Sequence, residues 1–342
     1  MNKVAIIGAG FISGDHYPGW QKVEDAEIEV VVDINEEQAK QRANEWGAKS
    51  WETDYRKVLD NKDITICDIC LPHHLHATVT IDCLKAGKHV LLEKPIAMTI
   101  DESIEIMKHH KQSGKVLMIA ENWYFAPVVS KAEEIIKSGA IGEVYSMRGN
   151  LDYPGLRSWP KEQAYVRGVG WRENATQSGG GVMVDGGIHT LSIARMFMGE
   201  VDTIWGIEGK QAWKDQTGLE DTFNAMTKFE NGTTGIFHFT DASGWDRCHF
   251  DFTLLGTSGV VEFDIWTGIL KVNGHNVTTE YRISPYGGFV EEIEHFMECV
   301  RTGSEPRSGG LDQTHSLALM LAAYESAQKE GVGVKPHNIE KV

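Results

Sequence analysis

The first 122 residues alternate between short apolar runs and polar, helix-like segments, and few architectures accommodate that order. The runs are Lys3–Gly8 (KVAIIG), Glu27–Asp33, Ile64–Leu71, Lys88–Glu93 and Lys115–Glu121. Each is close to continuously apolar, the pattern of strands buried on both faces of a parallel sheet. Between them, INEEQAKQRANEW, LHATVTIDCLKAG and DESIEIMKHHKQSG read as helices, with Gly87 and Gly114 as end signals and Asp101 as an N-cap. Repeated strand and helix units of this kind predict an α/β fold with a doubly wound parallel sheet, whose ligand site lies at the carboxyl ends of the strands.

The first run leads directly into GAGFISGDH. Gly8 permits a tight turn, and Gly10 permits close approach of the backbone to a pyrophosphate at the N-terminus of the next helix. Ser13 replaces the usual third glycine, but the strand before and the helix after supply the context that makes the motif a dinucleotide site. Pro18-Gly19 is expected to kink or shorten that helix. Asp33 closes the second run, where a carboxylate accepts hydrogen bonds from ribose hydroxyls and repels a 2′-phosphate. The residues after it, Ile34, Asn35 and Glu36, offer no cation, so NAD is expected over NADP. Asp33 or Asn35 can also cap the following helix.

At 342 residues the chain exceeds what one core usually serves, and two domains are expected. The break is placed by pattern change: 1–122 for dinucleotide binding and 123–342 for substrate binding and oligomerisation. The net charge of −16 disfavours nucleic acid and anionic membranes. The short apolar N-terminal run and the absence of any span of membrane length lead to a cytoplasmic expectation. Five cysteines form no secreted framework, and Cys67 and Cys70 lie three apart in a strand-like run, pointing to opposite faces. His73, His74 and His76 in PHHLH lack a Cys, Asp or Glu at ligand spacing, so no metal is expected.

The second half reads as strands at EVYSMRGNLDY, TIWGIEG, TFNAMTKFE, GTTGIFHFT, HFDFTLLG, GVVEFD and ILKVNG, with helices near 128–138, 180–198, 289–302 and 312–330. Within SGGGVMVDGGIH, Asp185 and His189 are four apart, one helical turn. A carboxylate so placed orients an imidazole, the side chain suited to proton transfer near neutral pH. Such a pair on an ordinary helix is a solvated surface pair. The glycines around this one mark close backbone approach instead.

Together, GAGFISGDH with its His16, LPHHLH, AGKHVLLEKPIA and GGGVMVDGGIH resemble the Gfo/Idh/MocA oxidoreductases, and the likeness extends through ENWYFAP and SGAIGEV to AAYESAQ. The resemblance implies a Rossmann domain followed by a C-terminal α/β domain on an open, mainly antiparallel sheet, whose outer face another subunit covers, giving a homo-oligomer. It implies a catalytic group of Lys94, Asp185 and His189: His189 as base, Lys94 as electrostatic partner, Asp185 as substrate anchor and orienter. It further implies an NAD site from Gly8, Gly10, Phe11, Ile12, Asp33, Leu71, His73, His76, Glu93 and Lys94, with Glu93 lining the nicotinamide pocket. Substrate would meet Lys94, Tyr124, Tyr153, Trp159, Trp171, Arg172, Asp185 and His189. Two positions depart from the family: Tyr124 where an Arg is common, and Ser192 where an Asp often follows the histidine by three.

The expected reaction is NAD-dependent oxidation of a secondary hydroxyl of a sugar or glycoside, with C3 the favoured position, or its reverse. Seven of the ten tryptophans (123, 159, 171, 205, 213, 245, 266) fall in the second half, and indole stacks on pyranose faces. The long stretch from Asp152 to Ser178, rich in Trp, Tyr, Arg and Gly, is expected to close over a bulky aglycone. The alternatives are a glycosidase working through transient oxidation, an inositol or polyol dehydrogenase, and a sugar sensor without chemistry.

Overall fold

The structure, a computed structural model, describes residues 1–154, 170–210, 218–243, 248–274, 276–285 and 287–339. Six strands form the first sheet: β1 (Asn2–Ile7), β2 (Ala26–Val32), β3 (Ser50–Glu52), β4 (Ile64–Ile69), β5 (His89–Glu93) and β6 (Leu117–Ala120). They are parallel and ordered β3-β2-β1-β4-β5-β6, so the chain reverses direction across the sheet between β1 and β4. Their side chains are almost all buried, as the continuous apolar runs predict. The edge strand β3 escapes that reading because three residues, Ser-Trp-Glu, show no period.

Helices α1 (Phe11–Lys22), α2 (Glu36–Trp46), α3 (Arg56–Asp60), α4 (His76–Lys85) and α5 (Ile100–Ser113) connect the strands. Contrary to expectation, α1 is not cut short: it runs through Pro18 for 12 residues. The cap of α5 is Thr99, not Asp101. Its side chain accepts from the Glu102 N–H while Glu102 reaches back to the Thr99 N–H, and this reciprocal pair satisfies two amide donors where Asp101 would satisfy one. Asn35 does cap α2, accepting from the Gln38 N–H.

After α6 (Pro127–Lys137) comes the second sheet, built from β7 (Val144–Asp152), β8 (Val201–Gly209), β9 (Thr222–Phe229), β10 (Thr234–Thr240), β11 (His249–Gly256), β12 (Val260–Asp264), β13 (Ile269–Gly274) and β14 (Val277–Arg282). Its order is β14-β13-β12-β11-β7-β10-β9-β8, antiparallel except where β7 pairs with β10. The sequence does not announce β14, because this edge strand is exposed on nearly every residue and carries no alternation. One face of the sheet is packed: Met147, Leu151, Phe223, Phe237, Phe239 and Phe252 point inward beneath α7 (Ile188–Met198) and α9 (Gly310–Gln328).

The chain then returns to the first sheet. Ser308 accepts a hydrogen bond from the Ile119 N–H, and α8 (Phe289–Thr302) packs on α1, where a Cβ on Gly19 would come 2.6 Å from Ile293 Cδ1. The entry to α8 is fixed by Gly288, which has φ +102° and lies against the end of β6 so closely that a Cβ would come 2.1 Å from the Asn122 carbonyl oxygen. No described helix is long and apolar enough to cross a membrane. Gly288→Ala should therefore destabilise the protein by about 1–3 kcal/mol from backbone strain alone, with the clash adding to it. Urea denaturation of the two proteins measures the difference, and an unchanged midpoint would show that α8 does not depend on this contact.

Candidate active site

At the carboxyl end of β1, Gly8 has φ +103°, and a Cβ would meet the Cys70 carbonyl oxygen at 2.2 Å, so only glycine makes this turn. Around Gly10 no atom lies within 4 Å of a Cβ position, and α1 begins there with no acidic residue in its first turn and no side-chain cap. The amides of Phe11 and Ile12 thus open a helix N-terminus suited to a phosphate. Asp33 is tied to the same loop: Oδ2 accepts from the Ala9 N–H at 2.9 Å and Oδ1 from the Asn35 N–H at 2.8 Å. Each oxygen keeps a lone pair for a ribose hydroxyl. These residues, with Leu71 against Gly8, fit a dinucleotide.

Lys94 follows β5 and precedes a cis Pro95. Its ammonium donates to the backbone carbonyl of Asp185 and lies 3.9 Å from that residue's carboxylate. Asp185 also accepts from Arg172 Nε at 2.8 Å and from the Tyr153 hydroxyl at 3.1 Å. Burial raises the proton affinity of Asp185, but Arg172 and Lys94 outweigh it and hold the carboxyl below the usual carboxylate range. Burial, then the Asp185 charge, pushes the Tyr153 phenol well up, so it stays a donor. Arg172 stacks over Trp171, whose ring meets His73 edge-on at 4.6 Å. Burial, with His76 and Lys94 nearby, holds His73 well below the ordinary histidine range. The neutral ring faces the Ser178 carbonyl through Nδ1 at 2.7 Å. His73, Arg172, Ser178, Gly180, Gly181, Val184, Asp185 and Asp241 line a cleft of about 350 Å³, its open mouth included.

The glycines before Asp185 are there for close approach. A Cβ on Gly180 would meet the Tyr324 hydroxyl at 2.2 Å, and one on Gly181 the Glu220 carbonyl at 2.0 Å. Glu220 accepts from the Gly181 and Met183 N–H groups and from Tyr324, capping the π-helical turn Met183–Gly187 that carries Asp185. No local motif marks Glu220 for this task.

The structure corrects the expected partnership of Asp185 and His189. His189, 8% exposed at the start of α7, turns Nδ1 to Glu121 Oε1 at 2.5 Å, and its ring stacks on Trp123 with centroids 4.8 Å apart. Asp185 turns to Arg172 and Lys94 because permanent cations compensate a buried carboxylate better than a neutral imidazole does. The partner of His189 is thus Glu121, the residue after β6, which engages Nδ1.

Three further expectations are revised. Tyr124 is 2% exposed, its hydroxyl within hydrogen-bond distance of the Ser192 carbonyl and Asp312, so it is a core residue and meets no substrate. His76 is fully buried with its ring nitrogens against the Leu71 and Pro95 carbonyls, so it shapes the turn and does not touch cofactor. Glu93 is revised only in its partner: Oε1 meets His16 Nε2 at 3.0 Å, and burial, which raises its proton affinity, is outweighed by His16, with Lys94 and His189 also near enough to lower it. Trp159 lies outside the described residues, as does most of the stretch expected to close over substrate.

Beneath the site His16 bridges two acids, with Nδ1 3.0 Å from Asp68 and Nε2 3.0 Å from Glu93, while Trp20 Nε1 donates to Asp68 at 2.7 Å. Burial opposes the charge on His16, but Asp68 and Cys70 outweigh it and raise its proton affinity well above the ordinary value. His16, Asp68 and Cys70 have atoms within 4.8 Å of one another, and each is already engaged with the others. Cys67 faces Cys83 on α4 instead, so the C-x-x-C points both ways, as its spacing predicts.

A glycine turn that opens an uncapped helix beside an acid just past the end of β2 defines the class: an oxidoreductase whose first domain is an NAD-binding Rossmann fold, the family description that residues 2–121 match. Residues 129–262 match the GFO/IDH/MocA C-terminal domain. The chain belongs to the Gfo/Idh/MocA oxidoreductase family, and it is an NAD-dependent enzyme acting on CH–OH groups. Among its relatives, levoglucosan dehydrogenase of Pseudarthrobacter phenanthrenivorans is 28% identical over 77% of this chain and 73% of that protein. The scyllo-inositol 2-dehydrogenase (NAD(+)) of Bacillus subtilis is 25% identical over 95% and 93%. A solved levoglucosan dehydrogenase, in complex with NADH and levoglucosan, superposes with a TM-score of 0.89 at 25% identity, covering 98% of this chain and all of that one.

Two outcomes are expected. NAD⁺ should support turnover far better than NADP⁺, and Asp33→Ser combined with Ile34→Arg should narrow the gap; equal use of both by the native protein would refute the role of Asp33. His16 binds its proton more tightly folded than unfolded, where the value is about 6.5. Its contribution is therefore complete below that pH and is lost as pH rises through the folded value. The denaturant midpoint of His16→Gln should fall below the native one at acid pH, and the gap should close as pH rises. A gap that widens with pH would overturn the assignment.

Proposed function

We propose that the enzyme oxidises a secondary hydroxyl of a sugar ring, with a glycoside favoured over an acyclic polyol and C3 the favoured position. The observation that carries this reading is an aromatic wall beside the catalytic groups. Trp123 stacks on His189, Phe250 packs on Trp123 with centroids 5.2 Å apart, and Tyr153 and Trp266 meet Phe250 edge-on. Trp123 and Phe250 are buried and back His189, while the half-buried rings of Tyr153, bonded to Asp185, and Trp171, stacked with Arg172, suit a pyranose, which has flat C–H faces and a rim of hydroxyls. The relatives named for levoglucosan and inositol dehydrogenation support a cyclic substrate.

In this reading His189 Nε2 takes the hydroxyl proton, while Glu121 on Nδ1 fixes the ring and stabilises the cation that forms. Lys94 sets an ammonium beside the developing alkoxide. Asp185, already neutralised by Arg172 and Lys94, accepts a hydrogen bond from a neighbouring hydroxyl and thereby positions the ring. Bound NAD supplies the hydride acceptor. Trp171 and His73 form the wall next to Arg172. The outer face of the second sheet carries an apolar row, Trp205 opposite Met226 opposite Ile236, that supports burial against another copy of the chain. The free cysteines suit a cytoplasmic enzyme.

With NAD⁺ and a panel of polyols, free sugars and glycosides, NADH and an oxidised ring should appear together. Release of free sugar without net NADH would identify the hydrolase, and turnover confined to small 2-hydroxy acids would refute the sugar reading. His189→Ala should lower kcat about 100-fold or more with NAD binding retained. Lys94→Ala should be at least as damaging, and near-native rates in either variant would reassign the chemistry.

A further inference from the structure

Glu292 is the one carboxylate on α8 that points into the molecule. It is fully buried, and neither of its oxygens has a hydrogen-bond partner among the described residues. Its place is set from two sides. One turn earlier, Gly288 docks on the backbone of Asn122, the neighbour of Glu121, and Phe289 packs on His16 with ring centroids 5.9 Å apart. The charges Glu292 meets are His16 on α1, Asp68 at the end of β4, Glu93 at the end of β5 and Glu121 after β6. Glu121 Oε1 takes the bond from His189, whereas Glu121 Oε2 is buried with no donor among the described residues. Buried carboxyls that act on one another do not all ionise, and an unpaired buried charge is far costlier than an unpaired acid. Glu121 has an imidazole partner on Oε1. Glu292 has none, and burial with three acids nearby pushes its proton affinity well above the ordinary value.

We propose that Glu292 is a positioning residue of the catalytic base: its neutral carboxyl supplies the donor that Glu121 Oε2 lacks, across a small turn of either side chain or one bridging water. The inference rests on the reading of His189 as base. During oxidation the substrate proton goes to His189 Nε2 and the hydride to NAD⁺, and Glu292 keeps its own proton throughout. A donor on Glu121 moderates the pull of that carboxylate on His189. Without it, the imidazole holds its proton to higher pH, and a larger share of enzyme at neutral pH starts with its base already occupied.

Two measurements test this on the full-length enzyme. Infrared spectra of the native protein near neutral pH should show a protonated carboxyl band that shifts in D₂O, disappears in Glu292→Gln and moves in Glu121→Gln. This arm needs no turnover, so it separates failure of the Glu292 assignment from failure of the sugar dehydrogenase reading. In the second arm, Glu292→Leu should move the acid limb of kcat/KM upward by about half a pH unit or more. Glu292→Gln, whose amide still donates, should leave that limb at its native pH. A band absent from the native protein or retained in Glu292→Gln would overturn the proposal. So would an acid limb that moves equally in both variants or in neither, with folding of each checked by thermal melting and NAD binding.

Discussion

The site depends on the cost of burying charge. The buried polar groups at the junction of the two sheets are placed where an opposite charge or a hydrogen-bond partner reaches them: Asp185 with Arg172 and Lys94, His189 with Glu121, His16 with Asp68 and Glu93. Pairs of this kind add little net stability, because desolvation consumes most of the attraction. Breaking one is expensive, however, and that asymmetry fixes geometry. The Lys94–Asp185 and Glu121–His189 contacts join the carboxyl ends of β5 and β6 to the segment that opens α7, so these buried contacts also tie the two sheets together.

Much of this was legible in the sequence, for identifiable reasons. Strands β1, β2, β4, β5 and β6 are buried on both faces, and continuous apolar runs report that directly. Lys94, Asp185 and His189 could be named because a lysine after a strand and an Asp–His pair among glycines are local patterns. Their partners could not. Glu121 directly follows β6 and Glu93 ends β5, yet one meets His189 and the other His16. Only the fold distinguishes them. Trp123 and Tyr124 show the same limit: in the single turn Asn122–Phe125, adjacent rings point in different directions, Trp123 to His189 and Tyr124 to Asp312.

The glycines resolve an apparent contradiction. Five glycines between 179 and 187 weaken a helix, yet this segment must hold the buried Asp185 contacts firmly. Rigidity comes from contact instead of propensity. The missing side chains admit the Glu220 carbonyl against Gly181, the Tyr324 hydroxyl against Gly180 and Leu151 against Gly186. Glu220 then bonds the free amides of Gly181 and Met183. What the backbone gives up in intrinsic stability, tertiary packing replaces at the position where precision matters.

The two sides of the cleft differ in how they are carried. Lys94, Glu121 and the cofactor loop sit at strand ends of the first sheet, where register and buried packing leave little freedom. Asp185 reaches across to Arg172 and Tyr153, which flank a long connection between β7 and the segment Gly170–Glu173. Hydride and proton transfer need fixed distances to one carbon and one oxygen, a demand that strand ends held by register and buried packing are suited to meet.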